Sequence, residues 1–318
     1  MSEPAGFPSQ VHIYGPVPSR RLGYSLGVDI LPYKTCTLDC IYCQLGPTPE
    51  TTDRAGCFFE EQEILSQIQD AVTPSRGRID YITFSGSGEP TLNAGLGSLI
   101  RKIKAMTDIP VAVLTNGTLL TREEVRQALM EADLVVPSLD AATQEVFERV
   151  NRPHPCLEVR DIIQSLIRFR QEYRGRFWLE VMLVAGINDS PEHIRELKEA
   201  AASIHPDRVQ LNTVVRPPAE GFARALTQER MEEIREIFGP EAEIIADFSD
   251  EPRVSGREAV EAAIVDLVKR RPVTLTDLAN SLGLHRNEVI KHLDLLRKDD
   301  KIRVVFHKGR KYYEPSGE

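Results

Sequence analysis

Leu26-Gly27-Val28-Asp29-Ile30-Leu31 runs through Pro32-Tyr33-Lys34-Thr35 into Cys36-Thr37-Leu38-Asp39-Cys40-Ile41-Tyr42-Cys43, an apolar strand that ends in a loop carrying three thiols. The spacing Cys36-x3-Cys40-x2-Cys43 suits three corners of a cubane iron–sulfur cluster. Saturated clusters take about four cysteines. With three, one iron keeps a coordination position open for chemistry, by the logic that separates catalytic from structural zinc sites. The alternative for the same residues is a structural zinc site completed by Cys57 or by a histidine. The seven histidines show no metal-ligand spacing of their own.

Outward from this loop, short apolar runs alternate with amphipathic stretches. Strands are expected at 26–31, Ile79–Phe84, Val111–Leu114, Leu134–Val136, Phe177–Val184 and Val209–Val214. Helices are expected at Glu61–Val72, where Ile64, Leu65, Ile68, Ala71 and Val72 share a face, at Leu96–Met106, at Asp161–Glu172 and at Gln228–Phe238. Thr121 with Glu124 reads as a capping box, and Ser190-Pro191 as an N-cap followed by a first-turn proline. Six strands alternating with helices predict parallel βα units closing into an incomplete (β/α)6 barrel. In such folds function sits where strands end. The cysteine loop, the turn Ser85–Pro90, Asn116, and Ser138 with Asp140 all follow predicted strands directly.

The rhythm stops after about residue 240. Residues 241–256, with Pro252 and Gly256, read as a linker between a domain at 1–240 and a second at 257–318. Charge divides the same way: 257–318 carries +3 and 1–256 carries −12 of the net −9. In the tail, helices at Arg257–Arg270, Thr274–Leu282 and His285–Lys298, with a turn at Gly283, precede a hairpin about His307-Lys308-Gly309. That order is the winged helix-turn-helix. Val289, Leu293 and Leu296 should face inward. Arg286, Asn287 and Lys291 are candidates to face outward, with Glu288 and Asp294 weakening an anionic contact. The ribbon offers Lys301, Arg303, Lys308, Arg310 and Lys311 with Tyr312 and Tyr313 as a phosphate-binding surface. Protein docking is the alternative use of such a module.

The Cys36-x3-Cys40-x2-Cys43 spacing with Tyr42 before the last cysteine resembles the signature of radical S-adenosylmethionine (radical SAM) enzymes. Gly86-Ser87-Gly88-Glu89-Pro90 is similar to that superfamily's Gly-Gly-Glu-Pro element, with Ser87 at the first of the paired glycines. Gly15-Pro16-Val17-Pro18-Ser19-Arg20-Arg21-Leu22-Gly23 and Gln210-Leu211-Asn212-Thr213 resemble a branch compared with wyosine-type tRNA-modifying synthases. The resemblance implies a 4Fe-4S cluster on Cys36, Cys40 and Cys43 and S-adenosyl-L-methionine chelating the open iron. One-electron reduction then breaks the sulfonium C–S bond, and the 5′-deoxyadenosyl radical abstracts hydrogen from an unidentified substrate. It also implies that Gly86, Gly88 and Glu89 bind the methionyl amino group, glycine allowing close backbone approach. Tyr42 would lie near the adenine. Asn116, Ser138 and Asp140 would meet ribose or carboxylate, Asn188 and Asp189 the adenine or substrate side, and Arg216 an anionic group.

Other readings stay open. Asn116 also suits a helix-entry turn, Ser138 and Asp140 suit caps, and Asn188-Asp189-Ser190 suits turn and cap. Cys57 and Cys156 are too few for a second cluster and read as small buried hydrophobes. Nothing resembles a flavin or nicotinamide site, so an external one-electron donor such as ferredoxin or flavodoxin is expected. The leading substrate is an RNA base and the next a protein, as in glycyl-radical activation. The rival from another class is a redox-sensing iron–sulfur transcription regulator, which would have no need of a cofactor-binding turn at the next strand end. No apolar run approaches the roughly 20 residues of a membrane span, and a cytoplasmic oxidoreductase or transferase is expected.

Overall fold

The computed structural model describes residues 12–19, 21–72, 79–216, 218–246, 257–270, 272–282, 284, 286–307 and 310–316. Arg20, Pro252, Gly256, Gly283, His285, Lys308 and Gly309 lie outside the described residues, as do the side chains of Asn287 and Arg310. The chain divides into two compact units, Met1–Asp247 and Phe248–Glu318.

The first unit is an α/β fold on one eight-stranded sheet, with strands in sequence order. They are β1 (Ile13–Ser19), β2 (Gly23–Val28), β3 (Tyr81–Phe84), β4 (Val111–Thr115), β5 (Leu134–Pro137), β6 (Arg176–Leu183), β7 (Arg208–Thr213) and β8 (Ala242–Ile244). Strands β2 to β8 pair parallel, and β1 pairs antiparallel with β2. Helices α1 (Glu61–Ala71), α2 (Leu96–Met106), α3 (Glu123–Leu129), α4 (Gln144–Asn151), α5 (Val159–Glu172), α6 (Pro191–Ile204) and α7 (Gln228–Phe238) fill the crossovers.

Both faces of the central strands are buried, as expected of a parallel sheet. Leu96, Leu99, Ile100 and Ile103 recur at helical spacing and bury one stripe of α2. Alternate strand residues Tyr81, Ala112, Leu134, Val136 and Trp178 gather with Leu22 in a separate apolar cluster. Ser190 accepts from His193 N at 3.2 Å, and Pro191 opens α6 as read.

Three expectations need correction. Two strands escaped the sequence reading: β1, a bulged edge strand rich in Gly and Pro, and β8, whose three residues fall inside the expected linker. A short helix, α4, was also missed. Thr121 caps nothing. A 3-10 turn at Thr118–Thr121 precedes α3, so Arg122 takes the N-cap position and the Thr121 hydroxyl donates back to Thr118 O at 3.3 Å.

The second unit holds α8 (Arg257–Arg270), α9 (Leu275–Leu282), α10 (Arg286–Lys298) and the antiparallel pair β9 (Ile302–His307) and β10 (Arg310–Pro315). Its core joins Val260, Ile264, Val268, Leu278, Val289, Leu293, Leu296 and Ile302. Thr274 and Asp277 exchange side-chain and backbone bonds ahead of α9, a capping box. Glu288 and Tyr313 are buried rather than outward, because α10 and β10 turn those positions to the core. Val273 pairs with Tyr313 through two backbone bonds.

Candidate functional site

The cysteine loop and the turn after β3 are built on each other. Lys34 N donates to Ser87 O at 2.6 Å and Glu89 N to Thr35 O at 3.0 Å, so the turn lies along the segment entering Cys36. A Cβ on Gly88 would sit 1.9 Å from Thr35 O. The cysteine loop's own backbone therefore comes close enough here to demand glycine. Gly86 has φ +144, and a Cβ there would meet Asp29 Cγ at 2.5 Å. Ser87 donates from N and Oγ to Asp29 Oδ2 at 3.1 and 2.5 Å, which gives its hydroxyl a structural partner.

Glu89 ties this turn to the end of β4. Its Oε1 accepts from Thr91 N (3.0 Å), Thr91 Oγ1 (2.6 Å) and Thr115 Oγ1 (2.6 Å), and its Oε2 from Asn116 N (2.6 Å). Burial pushes its carboxyl upward, and these donors oppose the push. Asn116 fills the turn role read for it and also reaches the cysteine loop. Its Oδ1 accepts from Thr118 N at 3.0 Å as a turn residue, while Nδ2 donates to Thr37 Oγ1 at 2.8 Å and to Cys36 Sγ at 3.6 Å.

The other two sulfurs are also approached by N–H groups: Asn151 Nδ2 lies 3.3 Å from Cys40 Sγ and Lys34 Nζ 3.2 Å from Cys43 Sγ. Burial first, then the Glu89 charge, pushes the Cys36 thiol up to about 12. Cys40 stands well above the ordinary thiol range through burial, then Asp140, then the two neighbouring cysteines. At Cys36 and Cys40 the thiolate form thus needs a cationic metal to displace the proton. The donor set fits a cluster: three clustered sulfurs, each with an N–H donor of the kind that tunes iron–sulfur centres. Cys57 is exposed, and among the described residues no three His, Cys, Asp or Glu side chains gather about a single ion.

Behind the loop, Tyr42 OH donates to Asp140 Oδ2, which also accepts from Asn151 Nδ2 at 2.8 Å; Asp140 Oδ1 accepts from Met182 N at 2.9 Å. Burial holds Asp140 up at about 6 despite these bonds. The structure thus joins Tyr42, Asp140 and Cys40 through Asn151, a residue that no motif in its own segment marks. Asp140 does not cap, since α4 starts after Thr143. Ser138 is half-buried at the end of β5 and bridges Glu180 through its backbone.

Asn188 is a turn residue. Its Oδ1 accepts from Val184 N at 2.7 Å and its Nδ2 donates to Asp140 O and Met182 O. Asp189 accepts from Gly186 N at 2.7 Å. Arg216 donates to Gln44 Oε1 at 2.7 Å on the cysteine loop. Arg21 reaches Glu180 Oε2 on β6 at 2.7 Å and Gln210 Oε1 on β7 at 3.2 Å, and Asn212 donates to Glu180 Oε1 at 3.0 Å. Cys57 and Cys156 are both exposed, contrary to the buried role read for them.

Among the described residues no helix is long and apolar enough to cross a membrane. The chain is 39% identical over 300 residues to a protein named GTPase Obg from Brachyspira hyodysenteriae, covering 93% of this chain but only 44% of that one. This chain therefore spans less than half the length of that relative. It is 35% identical over 226 residues to UPF0026 protein MJ1312 of Methanocaldococcus jannaschii, covering 71% of this chain and 70% of that one. A crystal structure of a radical SAM methyltransferase from Sphaerobacter thermophilus shares the fold with TM-score 0.52 at 20% identity, covering 71% of this chain and 67% of that one. The family model for the Radical SAM superfamily matches residues 30–201, a span that includes the cysteine loop, the Gly86–Glu89 turn, Asn116, Asp140 and Asn151. With that match over more than half its length, the chain belongs to the Radical SAM superfamily.

Proposed function

We propose that this protein is an enzyme that holds a 4Fe-4S cluster on Cys36, Cys40 and Cys43 and reductively cleaves S-adenosyl-L-methionine. One observation carries the reading: three clustered sulfurs, each approached by an N–H donor, on a loop whose entry is hydrogen-bonded to the Gly86–Glu89 turn. When bound, the cluster supplies the electron that breaks the sulfonium C–S bond and yields a 5′-deoxyadenosyl radical for hydrogen abstraction. The protein's part is binding, orientation and exclusion of water. Glu89 and the Gly86–Gly88 backbone would face the methionyl amino group. Asn116, Ser138 and Asp140 would face ribose or carboxylate, and Tyr42 the adenine. Ile41, Val184 and Ala223, with Ile187 and Val214 against them, supply apolar cover beside Tyr42.

The sheet is read as an incomplete barrel. In a flat sheet β2 and β7 would lie about 24 Å apart, at roughly 4.8 Å per strand. Arg21, two residues before β2, bonds Gln210 on β7, which supports a curled sheet. The second unit is read as a winged helix because three helices precede a ribbon and Val273 adds to its edge. The substrate read for the enzyme is an RNA base, favoured by the branch resemblance and by Arg303 and Lys311 on the ribbon with Lys301 just before it; a protein substrate is the second reading. Ferredoxin or flavodoxin is the expected donor, in the cytoplasm.

The test is anaerobic reconstitution with iron and sulfide, then dithionite and S-adenosylmethionine. Release of 5′-deoxyadenosine by the wild type and its loss in Cys40→Ala is the expected result. Undiminished turnover in Cys40→Ala refutes the cluster assignment.

A further inference from the structure

The three N–H donors at the sulfurs come from different parts of the chain. Asn116 follows β4, Asn151 ends α4, and Lys34 stands two residues before Cys36. Two are neutral amides and one is an ammonium. Lys34 is only 5% exposed, and its Nζ lies 3.2 Å from Cys43 Sγ. Lysine is almost never buried without a partner. Among the described residues no carboxylate is hydrogen-bonded or ion-paired with Lys34, and the Cys43 sulfur is the side-chain partner its amino group meets. Its backbone also sits at φ +58, a left-handed conformation that a long L side chain seldom adopts. That conformation is held by the bond from Lys34 N to Ser87 O, the contact that seats the Gly86–Glu89 turn. Fold and charge placement are thus fixed by one residue.

We propose that Lys34 is a positioning residue that pins a positive charge on the Cys43 corner of the cluster and raises the cluster's reduction potential. This rests on the cluster assignment above. A cluster gains one negative charge on reduction, and a cation hydrogen-bonded to a ligating sulfur stabilises the reduced form more than the oxidised form. In a site of low effective dielectric the difference is large enough to measure. Charge and hydrogen bonds to sulfur are among the levers that set such potentials. Asn116 and Asn151 supply the hydrogen bond without the charge, so Lys34 is separable from them by substitution.

The experiment uses the full chain, reconstituted anaerobically without S-adenosylmethionine, as wild type, Lys34→Met and Lys34→Arg. Iron per chain is measured first, then the midpoint potential by a titration followed by electron paramagnetic resonance. The expected result is a reduction equilibrium about tenfold less favourable in Lys34→Met, about 59 mV lower for one electron, with Lys34→Arg close to wild type. Loss of iron in Lys34→Met alone, with Lys34→Arg loaded, overturns the proposal, because the charge then serves assembly rather than the potential. Equal iron and equal midpoint in Lys34→Met and wild type overturn the proposal. So does failure of Lys34→Arg alongside Lys34→Met, because shape rather than charge is then at stake. S-adenosylmethionine is then titrated into the loaded proteins, and a Lys34→Met protein altered only in that affinity also overturns the proposal, making Lys34 a contact to the cofactor carboxylate. A wild type that assembles no cluster refutes the function proposed above, an outcome distinct from the others.

Discussion

Replacing Gly88 with alanine tests whether the cysteine loop is seated by the turn after β3. The added Cβ would lie 1.9 Å from Thr35 O, where real Cβ contacts stay above 3.0 Å. Relief requires a backbone movement of more than 1 Å, because the obstacle is a carbonyl and not the end of a flexible side chain. That carbonyl accepts from Glu89 N, so moving it also breaks a hydrogen bond. Overpacking costs about 1–3 kcal/mol and the lost bond about 0.5–1.5 kcal/mol. Gly88→Ala should therefore cost about 2–4 kcal/mol, or roughly 5–15 °C in melting temperature for a unit of this size. Since Thr35 adjoins Cys36, iron uptake should fall as well. Gly186→Ala is the control. It has φ +72 but nothing within 4 Å, so it pays only a left-handed penalty of about 1–2 kcal/mol and should load iron normally. Thermal melts by circular dichroism and iron per chain after reconstitution read both effects. A Gly88→Ala protein that melts with Gly186→Ala and holds as much iron as wild type would refute the reasoning.

Two further outcomes are expected. Burial lifts Asp140 to about 6 from an ordinary 3.8, so the folded state of the metal-free protein binds that proton more tightly than the unfolded chain. This carboxyl's contribution to stability is then greatest below about pH 4, declines as pH rises through 6 and is flat above, amounting to about 3 kcal/mol at most; the wild-type minus Asp140→Asn difference, from denaturant melts across that window, should slope downward, and a level or rising difference counts against a buried carboxylate. In the second unit, changing Lys308, Arg310 and Lys311 together to Ala should weaken single-stranded RNA binding and reduce its salt slope by about 2, at about 0.7 per phosphate contact; a slope equal to wild type would reject the ribbon as the RNA surface.

The sequence exposed what is local and hid what is distant. Helices α2, α7 and α8 match their expected bounds because their apolar stripes are complete within one segment. The cysteine loop and the strand-end residues were legible because the parallel fold puts chemistry there whatever the neighbours are. Strand β1 was not, since Gly15, Pro16 and Pro18 argue against a strand and only an edge position tolerates them. Asn151 gains its meaning from Cys40, 111 residues earlier, and from Asp140; nothing in its own segment marks it. Lys34 is not legible as a site residue, because a lysine in a loop reads as solvated until its burial is known. At Gly88 the fold adds a close neighbour that the motif does not reveal, the Thr35 carbonyl of the cysteine loop.

The walls around the three thiols are made late. Asn116 and Asn151 follow the last of the cysteines by scores of residues, and Glu220, whose N–H donates to Ile41 O, comes roughly 180 residues after the loop leaves the ribosome. At 5–20 residues per second that is a delay of about 10–35 s, during which the nascent thiols stand open to oxygen and stray metals. Metal delivery before translation has passed Glu220 would meet a loop with no walls, so maturation of this protein belongs after synthesis, to a chain already folded and still reduced.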